Sequence, residues 1–118
     1  MDYTKTIKLD FDIPDGSPDC VVVKQDDALT RIINVELYKN GIRYIPEEDE
    51  EVGFRSESVN RGGVTVANID GVIVITLDGD FTSVCGKYKS DVTLIKDEKM
   101  IATETFVIEV RPSPIWWR

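Results

Sequence analysis

Apolar and polar residues alternate along much of this chain, which is the pattern of a half-buried β-strand. In residues 6–13, for example, Ile7, Leu9, Phe11 and Ile13 would all point to one side of a sheet. About eight or nine segments share this character. The candidates are residues 6–13, 20–25, 29–38, 42–45, 52–58, 64–68, 72–77, 87–95 and 103–110.

Turn-forming residues separate these segments. Residues 14–18 contain two prolines and a glycine, which cannot continue a ladder. Asn40-Gly41 and Asp70-Gly71 suit the positive φ angles of tight hairpins. Residues 78–84 read as a loop or a single helical turn, and residues 96–99 as a polar turn. Short connections of this kind predict antiparallel pairing, with two sheets packed face to face.

Composition supports the same fold class. Val and Ile supply 27 of the 118 residues and Leu and Ala only 8, and β-branched side chains favour sheet over helix. We therefore predict an all-β protein. Its fold would be an antiparallel β-sandwich of about eight or nine strands, immunoglobulin-like in architecture, formed by residues 1–111. Residues 112–118 would form a Pro/Trp-rich C-terminal tail.

The titratable residues predict no catalytic site and no cofactor. The chain has no histidine, which removes the commonest general base and the usual zinc ligand. Residues 10–16 resemble a calcium loop only faintly, because Pro14 intrudes and the twelfth position lacks a Glu. The acidic residues 47–51 are expected to form a solvated loop rather than a metal site.

The net charge and the lengths of the apolar runs indicate which partners to expect. A net charge of −8 repels phosphate backbones, so nucleic acid is not an expected partner. No apolar run approaches the ~20 residues that span a bilayer, and the N-terminus lacks the apolar core of a secretory signal. We therefore expect synthesis in a cytoplasm without secretion, and no membrane partner.

Cys20 and Cys85 lie 65 residues apart, as in immunoglobulin domains. However, no Trp lies between them, and Ser83 occupies the place of the usual Tyr. Without this Cys-Trp-Cys pattern and without an export signal, two reduced thiols are the favoured interpretation.

Three large apolar residues of the tail, Ile115, Trp116 and Trp117, are the candidate partner-binding residues. They follow two prolines and are flanked by arginines. Exposed in water they would favour aggregation, so they must pack against something. Two alternatives remain open from the sequence: the tail folds back on its own sheet, or it anchors in a groove of a partner.

Several segments, in order, resemble the N-terminal domain of phage baseplate upper proteins across residues 5–111. The matching segments are Val23-Lys24-Gln25-Asp26-Asp27, Thr30-Arg31, Val35-Glu36-Leu37, Asn40-Gly41-Ile42-Arg43-Tyr44, Val52-Gly53-Phe54-Arg55, Gly86-Lys87-Tyr88 and Thr105-Phe106-Val107-Ile108-Glu109-Val110. These are structural positions of a β-sandwich, and none is a catalytic signature.

This resemblance implies a virion protein whose sandwich docks on the tail-tip hub and oligomerises around it. A long, often helical C-terminal part that carries receptor-binding proteins usually follows in that family, and we expect this chain to depart from that pattern by stopping at Arg118. The expected partners are therefore other virion proteins and further copies of this chain. The expected function is a non-enzymatic assembly or adaptor module that links the particle to host-attachment components.

Two alternatives accompany that expectation. The same sandwich could serve as a capsid-decorating or head-fibre protein. It could also be a carbohydrate-binding module, although two Trp residues behind prolines make a poor platform for stacking on sugars.

Overall fold

The computed structural model of the protein describes five stretches of chain: residues 3–12, 20–24, 31–57, 64–78 and 81–112. These contain ten β-strands and a single turn of 3-10 helix, Phe81–Ser83. The strands are β1 (Tyr3–Asp10), β2 (Cys20–Lys24), β3 (Arg31–Lys39), β4 (Ile42–Arg43), β5 (Glu51–Ser56), β6 (Val64–Ile69), β7 (Val72–Leu77), β8 (Gly86–Lys96), β9 (Lys99–Ala102) and β10 (Phe106–Arg111).

The strands pair into two five-stranded sheets. The first has the order β1-β3-β7-β6, with β4 beside one end of β3, and the second has the order β2-β10-β8-β5, with β9 beside one end of β8. Each sheet turns an apolar face toward the other. The buried residues of both faces form one cluster: Ile7, Leu9, Val21, Val23, Ile33, Val35, Leu37, Ile73, Ile75, Leu77, Phe81, Val92, Phe106, Ile108 and Val110. The predicted all-β sandwich is confirmed.

Burial along the strands follows the predicted alternation, because successive side chains of a strand point to opposite faces. In β10, Phe106, Ile108 and Val110 are buried and the residues between them are half-buried. The predicted inward face of this strand is therefore confirmed.

The pairing corrects the expectation of purely antiparallel sheets, since both sheets are mixed. β1 pairs with β3 in parallel, and β2 pairs with β10 in parallel. For β1 and β3 the reason is that the chain crosses between sheets at its start: β1 lies in the first sheet, β2 in the second and β3 in the first again. Two crossings return the chain to the same sheet in the same direction, so these neighbours cannot form a hairpin.

Two predicted hairpins are present. Asn40-Gly41 joins β3 to β4 with φ angles of 53° and 79°, and Asp70-Gly71 joins β6 to β7 with φ angles of 52° and 85°. The polar turn predicted at residues 96–99 forms a third hairpin, whose returning strand was not predicted. Asp97 and Glu98 also have positive φ, 51° and 64°, and the chain returns from them as β9. The described residues therefore form ten strands rather than the predicted eight or nine.

The first strand begins and ends three residues earlier than predicted. β1 ends at Asp10, and Phe11 lies beyond it, half-buried, with its ring edge-on to that of Tyr44 at a centroid distance of 6.2 Å. Ile13, predicted to continue the buried face, lies outside the described residues. The strand stops at Asp10 because its carboxylate accepts hydrogen bonds from Asp12 N, Asn40 N and Gly41 N, which fixes a bend there.

The strand registers define two opposite ends of the sandwich. We call the end with the loop 44–50 and the turns at 40–41, 70–71 and 97–98 the acidic end. At the other end, β10 finishes beside β2 and the start of β8, with Arg111 paired to Lys24 and Val110 to Gly86. We call this the exit end, because the chain leaves the sandwich there toward its C-terminal tail.

Candidate partner-binding surfaces

The predicted partner-binding residues, Ile115, Trp116 and Trp117, lie outside the described residues. The structure does locate the point from which they depart. β10 ends at Arg111, and Pro112, which follows it, is exposed. The tail therefore begins at the exit end of the sandwich.

The acidic segment 47–51 has a defined arrangement rather than being a loop of mutually repelling charges. Glu50 Oε1 accepts hydrogen bonds from the Tyr44 hydroxyl and from Glu47 N, the latter at 2.9 Å. Lys96 Nζ lies 3.4 Å from a carboxylate oxygen of Glu47 and 3.4 Å from one of Asp49. These hydrogen bonds and charges raise the pKa of the Lys96 ammonium.

Tyr44 is a partly buried member of this group of side chains. Partial burial, the hydrogen bond to Glu50 and the negative charges of Glu50, Glu47 and Asp49 raise its pKa to about 12. The ammonium of Lys39 lies 5.6 Å from the centroid of the Tyr44 ring, within cation–π range. The phenol thus joins the acidic segment to the first sheet.

A groove of about 350 Å³ runs between the acidic segment and the edge strands β5 and β6. Four apolar residues line it: Pro46, Val52, Val66 and Ala67. The polar lining consists of Glu47, Glu48, Glu50 and Asn68. An apolar surface with a carboxylate rim can accept an apolar side chain that has a cationic neighbour.

Exposed apolar residues concentrate near the same end. Ile42, Ile45 and Ile69 are 72%, 59% and 55% exposed. Ile45 packs closely over Gly71, where an added Cβ would lie 3.1 Å from its side chain. Met100 and Ile101 of β9 are exposed as well. Such residues at strand ends and on an outer strand are candidate contacts for other proteins.

A second, polar groove of about 290 Å³ lies across β5 and β8. Its main feature is an ion pair in which Arg55 Nε and Nη2 donate to the two carboxylate oxygens of Asp91 at 2.9 and 2.7 Å. The hydrogen bonds and charge of Asp91 raise the pKa of Arg55. The remaining lining is formed by Ser56, Glu57, Lys89, Ser90 and Thr105.

Both cysteines are free and exposed. Cys20 pairs with Val107 on one side of β10, whereas Gly86, next to Cys85, pairs with Val110 on the other side. Strands two positions apart are separated by about 9.5 Å, and the offset along β10 adds to this. Disulfide formation needs Cα atoms within about 7 Å, so the fold holds these thiols apart.

The carboxylates of residues 10–16 divide between described and undescribed parts of the chain. Asp10 is engaged by three backbone N–H groups, as given above, and Asp15 lies outside the described residues. In the stretches that the structure describes, no three Cys, Asp or Glu side chains converge as a metal site would require.

No helix in those stretches has the length and apolar character needed to cross a membrane.

Sequence reasoning missed the groove between β5 and β6. Val52 and Val66 were correctly placed in strands, but the two strands belong to different sheets and come together only in the folded chain. The one local signal was the acidic segment beside them, which indicates a charged surface without indicating what it borders.

Comparison with known proteins identifies the fold but no family. No protein-family model matches the chain, and no curated protein matches it. Among solved structures, the N-terminal domain of ORF48 of phage TP901-1 has a TM-score of 0.68 at 17% identity, covering 94% of this chain and 99% of that one. A chimeric titin Z1Z2 carrying a KLER peptide from decorin has a TM-score of 0.49 at 16% identity, over 81% and 90% of the two chains.

These two structural similarities do not support equally strong conclusions. A TM-score of 0.49 is too low to support any argument about this chain. The similarity to the phage domain extends over nearly the whole of both chains and shows a shared fold. The expected resemblance to a phage protein domain is therefore confirmed at the level of the fold.

Proposed function

We propose that the chain is a non-enzymatic structural protein of a phage particle, an assembly and adaptor module that links the particle to its host-attachment components. The observation that carries this proposal is the fold shared with the N-terminal domain of phage TP901-1 ORF48, end to end in both chains. The sequence resemblance to baseplate upper proteins, which runs over residues 5–111, supports the same role.

The chemistry of the described residues is compatible with a structural role. The carboxylates of Asp10, Glu50 and Asp91 are used to hold turns, loops and strands together. The exposed apolar residues and the apolar groove near the acidic end provide surface for contact with other proteins.

Immunogold electron microscopy of particles of the phage that encodes the chain tests this proposal. Antibody raised against the chain should label the tail tip, and particles from a deletion strain should lose the label and adsorb poorly to the host. Label on the capsid would favour the capsid-decorating alternative instead. Particles that carry no label and adsorb normally after deletion would overturn the proposal.

A further inference from the structure

The groove of the acidic end has three features that together describe its occupant. Pro46, Val52, Val66 and Ala67 provide an apolar surface, and its volume of about 350 Å³ falls within the range of sites that take ring-sized groups. Glu47 and Glu48 are exposed at its border. A segment with large apolar side chains and an adjoining cation matches this surface in both polarity and charge.

Such a segment is present in the chain itself. Residues 115–118 read Ile-Trp-Trp-Arg, which places two large aromatic side chains next to a guanidinium. Trp and Arg are the residues that contribute most to protein interfaces. Apart from Ile115 and this pair, the tail consists of prolines, serine and arginine, so its apolar surface is concentrated here.

The strand registers show that the tail cannot reach the groove of its own sandwich. Val110 pairs with Gly86 and Val52 with Leu94, so eight residues of β8 separate the two positions. Eight residues of strand span about 26 Å, and Arg111 is one residue further away. Six residues, from Arg111 to Trp117, extend at most about 22 Å, which is short of the roughly 29 Å along the strands between Arg111 and Val52.

The charges of the two ends favour contact between different molecules. Lys24, Lys87 and Arg111 lie together at the exit end, where Glu109 is bonded to Arg111 at 2.8 Å. The opposite end carries the acidic segment 47–51. The chain has a net charge of −8, so copies repel each other unless the basic end of one faces the acidic end of the next.

We infer that the tail segment 115–118 of one copy docks in the groove formed by β5, β6 and the acidic segment of a second copy, giving head-to-tail association. This inference deepens the proposed function by naming a partner for the tail, a second copy of the chain. A contact between two different surfaces of this kind closes into a ring when its rotation permits.

Fluorescence tests the contact directly, because Trp116 and Trp117 are the only tryptophans of the chain. On dilution, the wild-type emission should move to longer wavelength as light scattering shows oligomers dissociating. The Ala67→Arg variant fills the groove and repels Arg118, so it should be monomeric with emission typical of exposed tryptophan. Thr65→Arg is the matched control, since Thr65 is exposed two residues earlier on the same strand, outside the groove.

A mixing experiment distinguishes head-to-tail association from other arrangements. The double variant Trp116→Ala/Trp117→Ala has an intact groove and no tryptophan, and Ala67→Arg has an intact tail and a blocked groove. Titrating the first into the second should shift the emission to shorter wavelength and produce a dimer. The tryptophan-free chain that also carries Ala67→Arg should produce neither effect.

Two results would overturn the inference. Emission that is independent of concentration would mean that the tryptophans pack within their own chain or stay in water. Association that survives Ala67→Arg would place the contact elsewhere. Neither result bears on the proposed function, since label on phage particles is measured independently of self-association in solution.

Discussion

At the scale of single residues, Gly53 shows how closely two strands of the second sheet fit. It pairs directly with Thr93 across β5 and β8, and a Cβ at position 53 would lie 2.7 Å from Thr93 Oγ1. Thr93 is buried, so its hydroxyl cannot move into solvent. The glycine is required here by close approach rather than by an unusual φ angle.

Gly53→Ala should therefore destabilise the fold by about 1–3 kcal/mol, the usual cost of an overpacked site. Urea unfolding measures the change. The double variant Gly53→Ala/Thr93→Ala removes the clashing oxygen and should be more stable than the sum of the two single changes implies. Equal stability of Gly53→Ala and wild type would show that the strands can separate at no cost.

Tyr44 should ionise late in an alkaline titration. Its folded-state pKa is raised from 10.0 to about 12, so the protonated phenol contributes stability that is fully present below pH 10. That contribution is lost as the pH rises toward 12. The difference in phenolate absorbance between wild type and Tyr44→Phe isolates this group, and a midpoint near pH 10 would contradict the hydrogen bond to Glu50.

At the scale of elements, the hairpin between β8 and β9 contains one unfavourable turn residue. Asp97 and Glu98 both have positive φ, a conformation that Gly, Asn and Asp adopt more readily but that costs Glu98 free energy. The hairpin forms nonetheless, because β9 pairs with β8 over four positions from Thr93 to Lys96. Strand pairing thus overrides local preference at this turn.

Glu98→Gly should stabilise the protein by about 1 kcal/mol, since glycine adopts this φ without a Cβ penalty. Thermal unfolding provides the measurement. Gly41→Ala, at the corresponding place in the β3–β4 hairpin, is the matched opposite change and should destabilise by a similar amount. A destabilised Glu98→Gly variant would mean that the side chain makes a contact worth more than the strain.

At the scale of the whole molecule, the two sheets stabilise each other by packing face to face. In the part of the chain that the structure describes, the buried cluster runs from Ile7 to Val110 and includes residues of both sheets. β10 ends at one end of this unit, and Pro112 follows it in an exposed position.

Removing residues 113–118 should therefore leave cooperative unfolding intact. We expect the midpoint to shift by less than about 4 °C, which corresponds to about 1 kcal/mol in a domain of this size, while self-association is lost. Loss of cooperative unfolding would instead place the two tryptophans in the core.

Reducing agent should leave the melting temperature unchanged, because the two cysteines are too far apart to form a disulfide. β10 lies between β2, which contains Cys20, and β8, which begins directly after Cys85. A scan with and without dithiothreitol is sufficient. A decrease of several degrees would indicate a disulfide, and Cys20→Ser would then identify it.

The sequence by itself determined nine of the ten described strands and the buried side of most of them. The alternation in β10 and the turns at Asn40-Gly41 and Asp70-Gly71 were readable because they depend on residues adjacent in the chain. The position of the tail residues Ile115, Trp116 and Trp117 beyond the last strand was readable for the same reason, and their role as contacts stays a prediction.

Apart from the two predicted hairpins, only the tertiary structure decided which strands are neighbours. The parallel pairs β1–β3 and β2–β10, the extra strand β9, the role of Asp10 and the groove between β5 and β6 all join residues distant in sequence. Local pattern cannot encode these contacts, since a strand with one apolar face can pair in either direction and in either sheet. The choice is made when the two apolar faces pack against each other.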